Sequence, residues 1–285
     1  MRASRAEIVA FLSAKMEELY PMHERVHIAR NVAAALEGVN LTKYLIDPNE
    51  VVTIDNIDDA GAELAAGRPM QYIIGNCDFC SLNLYVGEGV LIPRPETEEL
   101  VMWANDYAQQ LSTPTIVDLC AGSGCIALAM KHLNPSAEVT AVELSDKAIA
   151  YIDKNRQKLN LDIEIVKTDV LAGLSEIDNR QFDIIISNPP YIPSSEASMM
   201  HINVTNHEPH MALFVPDNDP LIFYRAIAQA AHRLLTQQGR IFFEIHESLA
   251  KQTANMLEAE GYHVSLRNDY FNKPRMICCQ PTKRR

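Results

Sequence analysis

The sequence predicts an α/β protein, built on a mostly parallel, doubly wound sheet that follows a small helical domain. Three observations carry that prediction. From about Val90 onward, short β-branched runs alternate with longer amphipathic stretches, the pattern of strand–helix–strand units covered on both faces. Before Gly67 the periodic stretches have helical spacing, and no strand alternation interrupts them. Between the two regions, Gly67-Arg68-Pro69 breaks the pattern and two short strand candidates follow, which predicts a β-hairpin connector. The expected divisions are 1–67 for the helical domain, 68–89 for the connector and 90–285 for the sheet domain.

Each element rests on local spacing. Ala6 to Leu19 carries Ile8, Phe11, Leu12 and Met16 at helical intervals, and Val26 to Leu36 and Ile54 to Ala66 read alike. Tyr72 to Gly75 and Leu82 to Val86 are the connector strands. In the sheet domain, helix Glu96 to Gln110 leads to strand Thr115 to Leu119. Helix Cys125 to Leu133 leads to strand Glu138 to Glu143, and helix Asp146 to Leu159 to strand Ile163 to Lys167. Strand Phe182 to Ser187 comes next, then helix Leu221 to Leu235, strand Arg240 to Ile245 and helix Glu247 to Glu260. Strands near Tyr262 to Arg267 and Met276 to Gln280 end the series. Sheets of this kind bind ligands beyond the carboxyl ends of their strands, where the strand order reverses.

Composition narrows the function classes. The 285 residues are 47% apolar, enough for a sizeable core, and nothing in them suggests disorder. A formal charge of −12 argues against broad nucleic-acid binding, which needs a cationic surface. There is no signal peptide and no apolar run long enough to span a bilayer, so a cytoplasmic protein without a membrane partner is expected. Of the six cysteines, Cys77 and Cys80 have C-x-x-C spacing, but no second ligand pair accompanies them. Reduced, buried thiols and no metal are the expectation. His207 and His210 flank Glu208-Pro209 without a third ligand at sensible spacing and read as surface or packing histidines. The terminal Lys283-Arg284-Arg285 reads as a solvated tail.

Two motifs carry chemistry. Cys120-Ala121-Gly122-Ser123-Gly124 follows the first strand of the sheet domain, where glycines let the backbone turn tightly and approach a ligand. The next strand ends in Glu143, a carboxylate placed to accept both hydroxyls of a ribose. The dinucleotide order G-x-G-x-x-G is absent, and no lysine follows the glycines as a phosphate loop requires. Ribose recognition without phosphate hardware suits S-adenosylmethionine. Asp169, near the end of the third strand, is placed with Val170 to meet an adenine edge, although an aspartate there also suits a cap.

The second motif is Asn188-Pro189-Pro190-Tyr191, which closes the fourth strand. Prolines fix φ and remove backbone donors, so Asn188 and the Pro189 carbonyl can face a cleft, with Tyr191 as an aromatic wall. The asparagine oxygen and that carbonyl would accept both hydrogens of a planar –NH2 group. The nitrogen lone pair would then be aimed at a sulfonium methyl. Positioning of this kind contributes roughly 7–11 kcal/mol.

The asparagine-proline-proline-tyrosine motif behind a glycine turn resembles the amino-methyltransferases of the seven-stranded, Rossmann-like class I. Two further stretches, Gly67 to Gly75 (GRPMQYIIG) and Val90 to Glu98 (VLIPRPETE), resemble protein-glutamine N5-methyltransferases, specifically the release-factor branch. The resemblance runs from about Gly67 to the end and includes Glu208-Pro209 with Ala212-Leu213. It implies methylation of the glutamine in the Gly-Gly-Gln loop of class-1 peptide chain release factors, with S-adenosyl-L-homocysteine as the spent cofactor. It also implies that Asn188, Pro189, Pro190 and Tyr191 hold the glutamine amide, with Asn188, Pro189 and Tyr191 as the catalytic set. Cys120 to Gly124 would wrap the methionine part of the cofactor, Glu143 its ribose, and Asn188 would touch both ligands. Arg94 to Glu98 would wall the site, with Arg94 on the substrate, although Pro95 and Glu96 also suit a helix start. The helical amino terminus would recognise the protein substrate. Cys120 stands where the family usually has glycine, Glu143 where aspartate is common, and Val215 to Pro220 replaces a glycine-rich loop. Alternatives are a ribosomal-protein glutamine, an adenine or cytosine amino group of nucleic acid, or cofactor binding without catalysis.

Overall fold

Seven strands form one mixed sheet in the computed structural model, which describes residues 1–282. In chain order they are β1 (Thr115–Leu119), β2 (Glu138–Glu143), β3 (Glu164–Lys167), β4 (Phe182–Ser187), β5 (Leu235–Glu244), β6 (Tyr262–Asn268) and β7 (Pro274–Pro281). Across the sheet the order is β3-β2-β1-β4-β5-β7-β6. The first five run parallel, while β7 is antiparallel to both its neighbours. The order reverses between β1 and β4, where Leu119 pairs with Ser187. Cys120 and Asn188, the next residues in each chain segment, therefore emerge side by side at the switch point. The tail Lys283-Arg284-Arg285 lies outside the described residues.

The helices around the sheet are α1 (Pro95–Ala108), α2 (Cys125–Leu133), α3 (Asp146–Leu159), α4 (Ile222–Leu234) and α5 (Ala250–Ala259). Successive strand residues point to opposite faces, and the two cores show it. Ile184 and Ile186 join Ile116 and the apolar faces of α1 and α2, whereas Ile185 joins Val117, Leu119 and those of α4 and α5. Strands buried on both faces read as continuous apolar runs, which is why Phe182 to Ile186 shows no alternation.

The chain divides into two compact units. One comprises Met1–Cys77, Val86–Glu88 and Met200–Glu208, and the other Asp78–Tyr85, Gly89–Met199 and Pro209–Arg285. The first unit packs helices Arg5–Ala14, Met22–Glu37 and Ile57–Ala65 around Ile8, Leu12, Val32, Ile54 and Leu64. Its buried Arg5 forms a two-pronged pair with Glu37 at 2.6 and 3.0 Å. Ser4 and Glu7 close a reciprocal cap at the first helix. Two short strands, Arg2–Ser4 and Val51–Thr53, pair antiparallel here, a correction to the expected all-helical stretch. At three residues each they are too short to display an alternation.

A second correction concerns Tyr72 to Gly75. Met70–Ile74 is a helical turn, bracketed by Pro69 at its start and a left-handed Gly75 at its end. These stop signals outweigh the strand preference of Ile73-Ile74. The connector hairpin instead pairs Asn76–Phe79 with Leu82–Tyr85. Cys80 sits in its turn at φ 46°, and burial raises its thiol pKa to about 12. Among the described residues, no helix is long and apolar enough to cross a membrane. No group of three or more histidine, cysteine or acidic residues among them is arranged to hold a metal ion.

Candidate active site

A cavity of about 330 Å³ opens at the switch point. Its lining draws on the turn after β1 (Cys120, Ala121, Gly122, Ser123) and on the end of β2 (Glu143, Leu144, Ser145). The segment after β3 (Thr168, Asp169, Val170, Leu171), the start of α1 (Arg94, Thr97), and Asn188 and Pro190 after β4 complete it. Ten of the thirteen expected site residues therefore meet around one space.

The turn after β1 is built by glycines and by Glu143. Cys120, Gly122 and Gly124 all take left-handed φ values of 64°, 56° and 80°. Glycine adopts that region freely, while cysteine pays a steric penalty of about 1–2 kcal/mol. A Cβ on Gly122 would meet nothing within 4 Å, so a ligand can lie directly on its backbone. Gly124 does not line the cavity. It caps α2, and a Cβ there would press on Ile152 at 3.1 Å, so its smallness brings α2 close to α3.

Glu143 is nearly buried, and both its oxygens are held by backbone amides. Oε2 accepts from Gly122 at 2.7 Å, while Oε1 accepts from Leu144 and Ser145 at 2.8 Å each. A carboxylate offers about four acceptor sites and these amides take three, so Oε2 keeps one for a ribose hydroxyl. Asp169 caps the turn at Val170–Ala172 through the Leu171 N–H at 2.8 Å and lines the cavity as well. Ser123 Oγ, on the wall, and Asp118 Oδ1, beneath the turn, are buried without a hydrogen-bond partner among the described residues.

These features fit an adenosine carrying an amino-acid tail. Leu144 and Leu171 are more than 40% exposed although they line the cavity, which leaves two apolar faces for a flat base to cover. Arg94 is the only lysine or arginine in the lining among the described residues. A dinucleotide pyrophosphate would want more, and it would not choose the company of Glu143 and Asp169.

Asn188 also lines the cavity, and its amide is held by a side-chain network. Nδ2 donates to Thr97 Oγ1 at 3.2 Å, and the Thr97 hydroxyl donates to Glu244 Oε2 at 2.6 Å. Tyr191 donates from its hydroxyl to the other oxygen of Glu244 at 3.0 Å. Pro189 and Tyr191 are outside the cavity lining. Pro189 is buried, and the Tyr191 ring packs edge-on against His246 with centroids 5.9 Å apart. Burial and the nearby Glu244 push the tyrosine hydroxyl well above its ordinary pKa. Glu244 itself is only 2% exposed, and burial raises its pKa.

The sequence reading did not single out Glu244, and it named Thr97 only as part of a wall. One signal was available: a glutamate inside the apolar run Ile241-Phe242-Phe243-Glu244-Ile245 is rare unless partnered. The two histidines of the sequence reading have packing roles. His207 donates to the Ala66 carbonyl at 3.1 Å, and His210 packs edge-on against Phe214.

A mostly parallel sheet of this order, with a glycine turn, a strand-end carboxylate and a cavity at the reversal, defines a class I methyltransferase fold. The methyltransferase small domain family matches residues 104–207. Among solved structures, the 16S rRNA N2 G1207 methyltransferase of T. thermophilus, in complex with AdoMet and guanosine, superposes with a TM-score of 0.54. The two are 17% identical, and the match covers 73% of this chain and 50% of that one.

The full-length relatives are closer. A release factor glutamine methyltransferase of Flavobacterium psychrophilum is 43% identical over 275 residues, 95% of this chain and 91% of its own. One from Bacteroides thetaiotaomicron is 34% identical, over 95% of this chain and 98% of its own. The chain belongs to the release factor glutamine methyltransferase family.

Proposed function

We propose that this chain methylates N5 of the glutamine in the Gly-Gly-Gln loop of class-1 peptide chain release factors, releasing S-adenosyl-L-homocysteine. The observation that carries this reading is the polarity of Asn188. Its amide nitrogen is bound to Thr97, which leaves the oxygen to accept a hydrogen from a substrate –NH2. A glutamine amide supplies such a group.

S-adenosylmethionine, when bound, supplies an electrophilic methyl on a sulfonium centre. Glu143 would hold its ribose, the turn from Cys120 to Ser123 its amino-acid tail, and Asp169 with Val170 its base. Asn188 Oδ1 and the Pro189 carbonyl would take the two hydrogens of the substrate amide and hold its plane. An amide nitrogen is a weak nucleophile, so orientation is the main contribution of the protein. The methylated nitrogen is acidic, and its extra proton can leave to water without a dedicated base. Pro190 shapes the same wall, and Arg94 would meet the approaching loop.

The helical amino-terminal region would recognise the release factor. Its Leu45, Ile46 and Val51 are each more than half exposed, which supports a role in protein contact. The enzyme would act in the cytoplasm, beside its substrate, without stable binding to nucleic acid.

The test uses methyl-labelled S-adenosylmethionine with a recombinant class-1 release factor and with the same factor bearing alanine for the loop glutamine. Label on the first alone is the expected result. Equal label on both, or label on neither while the cofactor binds, would overturn the release-factor assignment.

A further inference from the structure

Asn188 lies at the cavity, but what turns its amide one way and not the other lies behind it. A threonine hydroxyl has one hydrogen to give. Thr97 gives it to Glu244, which in its carboxylate form can only accept. The threonine oxygen can then only accept from Asn188, so the group facing it must be the –NH2. Glu244 takes a second hydrogen from Tyr191. One buried carboxylate therefore anchors both ends of the Asn188 to Tyr191 motif, from the end of the neighbouring strand β5.

We propose that Glu244, acting through Thr97, is the positioning residue that fixes the Asn188 amide with its oxygen toward the substrate. The role rests on the reading of Asn188 as the amide acceptor. The carboxylate form is essential to it. A neutral side chain at 244 can donate to Thr97, and the threonine hydrogen is then released toward Asn188. The asparagine reverses and presents –NH2 to a substrate –NH2, a donor against a donor. The network thus selects an acceptor that brings N–H groups and disfavours the corresponding carboxylate.

Four variants test this in the full-length enzyme. Glu244→Gln keeps the shape and removes the charge, Thr97→Val keeps the shape and removes the relay, and Thr97→Ser restores the hydroxyl. The fourth is the Glu244→Gln, Thr97→Val double variant. The first two should lose about 30-fold in kcat, the scale of one misdirected hydrogen bond to a buried polar group, with cofactor Kd changed less than about threefold. Thr97→Ser should recover most of the rate. The double variant should be no slower than either single one, because both break the same chain.

The pH profile provides a readout that mere packing would not move. Wild-type kcat should fall toward acid as Glu244 gains a proton. Its surroundings set where that happens. Burial and Glu96 at the start of α1 oppose the charge, while Arg275 on β7 and the Thr97 and Tyr191 hydroxyls favour it. Arg275 is itself shared with Asp269 at 3.2 Å and Glu247 at 3.4 Å, and Tyr224 donates to the Glu244 backbone carbonyl. In Glu244→Gln that acid limb should vanish.

A last measurement needs no acceptor. The Asn188 side-chain amide resonances, identified by their loss in Asn188→Ala, should shift in both single variants and return near their wild-type position in Thr97→Ser. A folded Thr97→Val enzyme with wild-type kcat and unshifted Asn188 resonances would overturn the proposal. Should the wild type transfer no methyl to any release factor, the resonance shifts alone decide it: their presence upholds the positioning role, and their absence ends it.

Discussion

Glu143 accepts the Gly122 N–H at 2.7 Å, so the carboxylate assigned to the cofactor also braces the turn on which the cofactor would lie. Binding and local stability are therefore tied to one side chain. Replacing Glu143 with alanine should weaken S-adenosylmethionine binding about 100-fold and lower the melting temperature together, since hydrogen bonds to a charge are worth about 1.5–3 kcal/mol each. Titration calorimetry and thermal unfolding on the same preparation check both effects. Weakened binding with an unchanged melting temperature would leave the ribose role and remove the brace.

Asp118, fully buried on β1, accepts from the Ala127 N–H at 3.0 Å and leaves its other oxygen without a partner. Burial holds its carboxyl well above the ordinary 3.8. Between its unfolded and folded pKa values the native protein binds the extra proton, so this group's stabilising contribution is full in acid and is lost as pH rises through the folded value. Asp118→Asn keeps an acceptor for Ala127 and removes the ionisable group. It should match wild type in acid and exceed it by roughly 2–4 °C at neutral pH, as followed by thermal melts across pH. A gap that widens toward acid would show that the sign is wrong.

Cys120 occupies a left-handed position without being glycine, at φ 64°. Cys120→Gly relieves the backbone but gives up thiol contacts with the core around Val117 and Leu119, so the net change should stay within about 1 kcal/mol. Cys120→Val puts a β-branched side chain where it fits worst and should cost about 2 kcal/mol or more. Urea denaturation of the two variants separates these outcomes, and equal stability would contradict a strained turn.

Asn188→Ala should lower methyl transfer about 1,000-fold while cofactor affinity falls less than about fivefold. Asn188→Asp should be at least as damaging. Its carboxylate has no hydrogen for Thr97, whose own hydrogen is held by Glu244 at 2.6 Å. Rapid-quench measurements alongside cofactor titration distinguish lost transfer from lost binding. Undiminished transfer by Asn188→Ala would rule out the acceptor role, and transfer by Asn188→Asp at the wild-type rate would show that the hydrogen given to Thr97 is not needed.

Where the signals were local, the sequence revealed them. β4 was readable because an apolar run ends abruptly at Ser187-Asn188 and prolines follow. The turn after β1 was readable because glycines sit between a strand and a helix. Tyr72 to Ile74 misled because three apolar residues fit a strand or a single helical turn equally well. The bonds behind Asn188 were illegible for another reason. Thr97 lies 91 residues before Asn188 and 147 before Glu244, so only the fold brings them together. Nor could the sequence separate Gly122 from Gly124: one leaves open space above the backbone, and the other makes room for Ile152.

The central proposal is that Asn188 holds an amide nitrogen for methylation. Mass spectrometry of a release factor after reaction with the enzyme and S-adenosylmethionine tests it most directly, with fragmentation to locate the added methyl. The expected result is one methyl group, on the side-chain nitrogen of the Gly-Gly-Gln glutamine, and only a trace after reaction with Asn188→Ala. A methyl on any other residue or atom, or an undiminished methyl with the alanine variant, would contradict it.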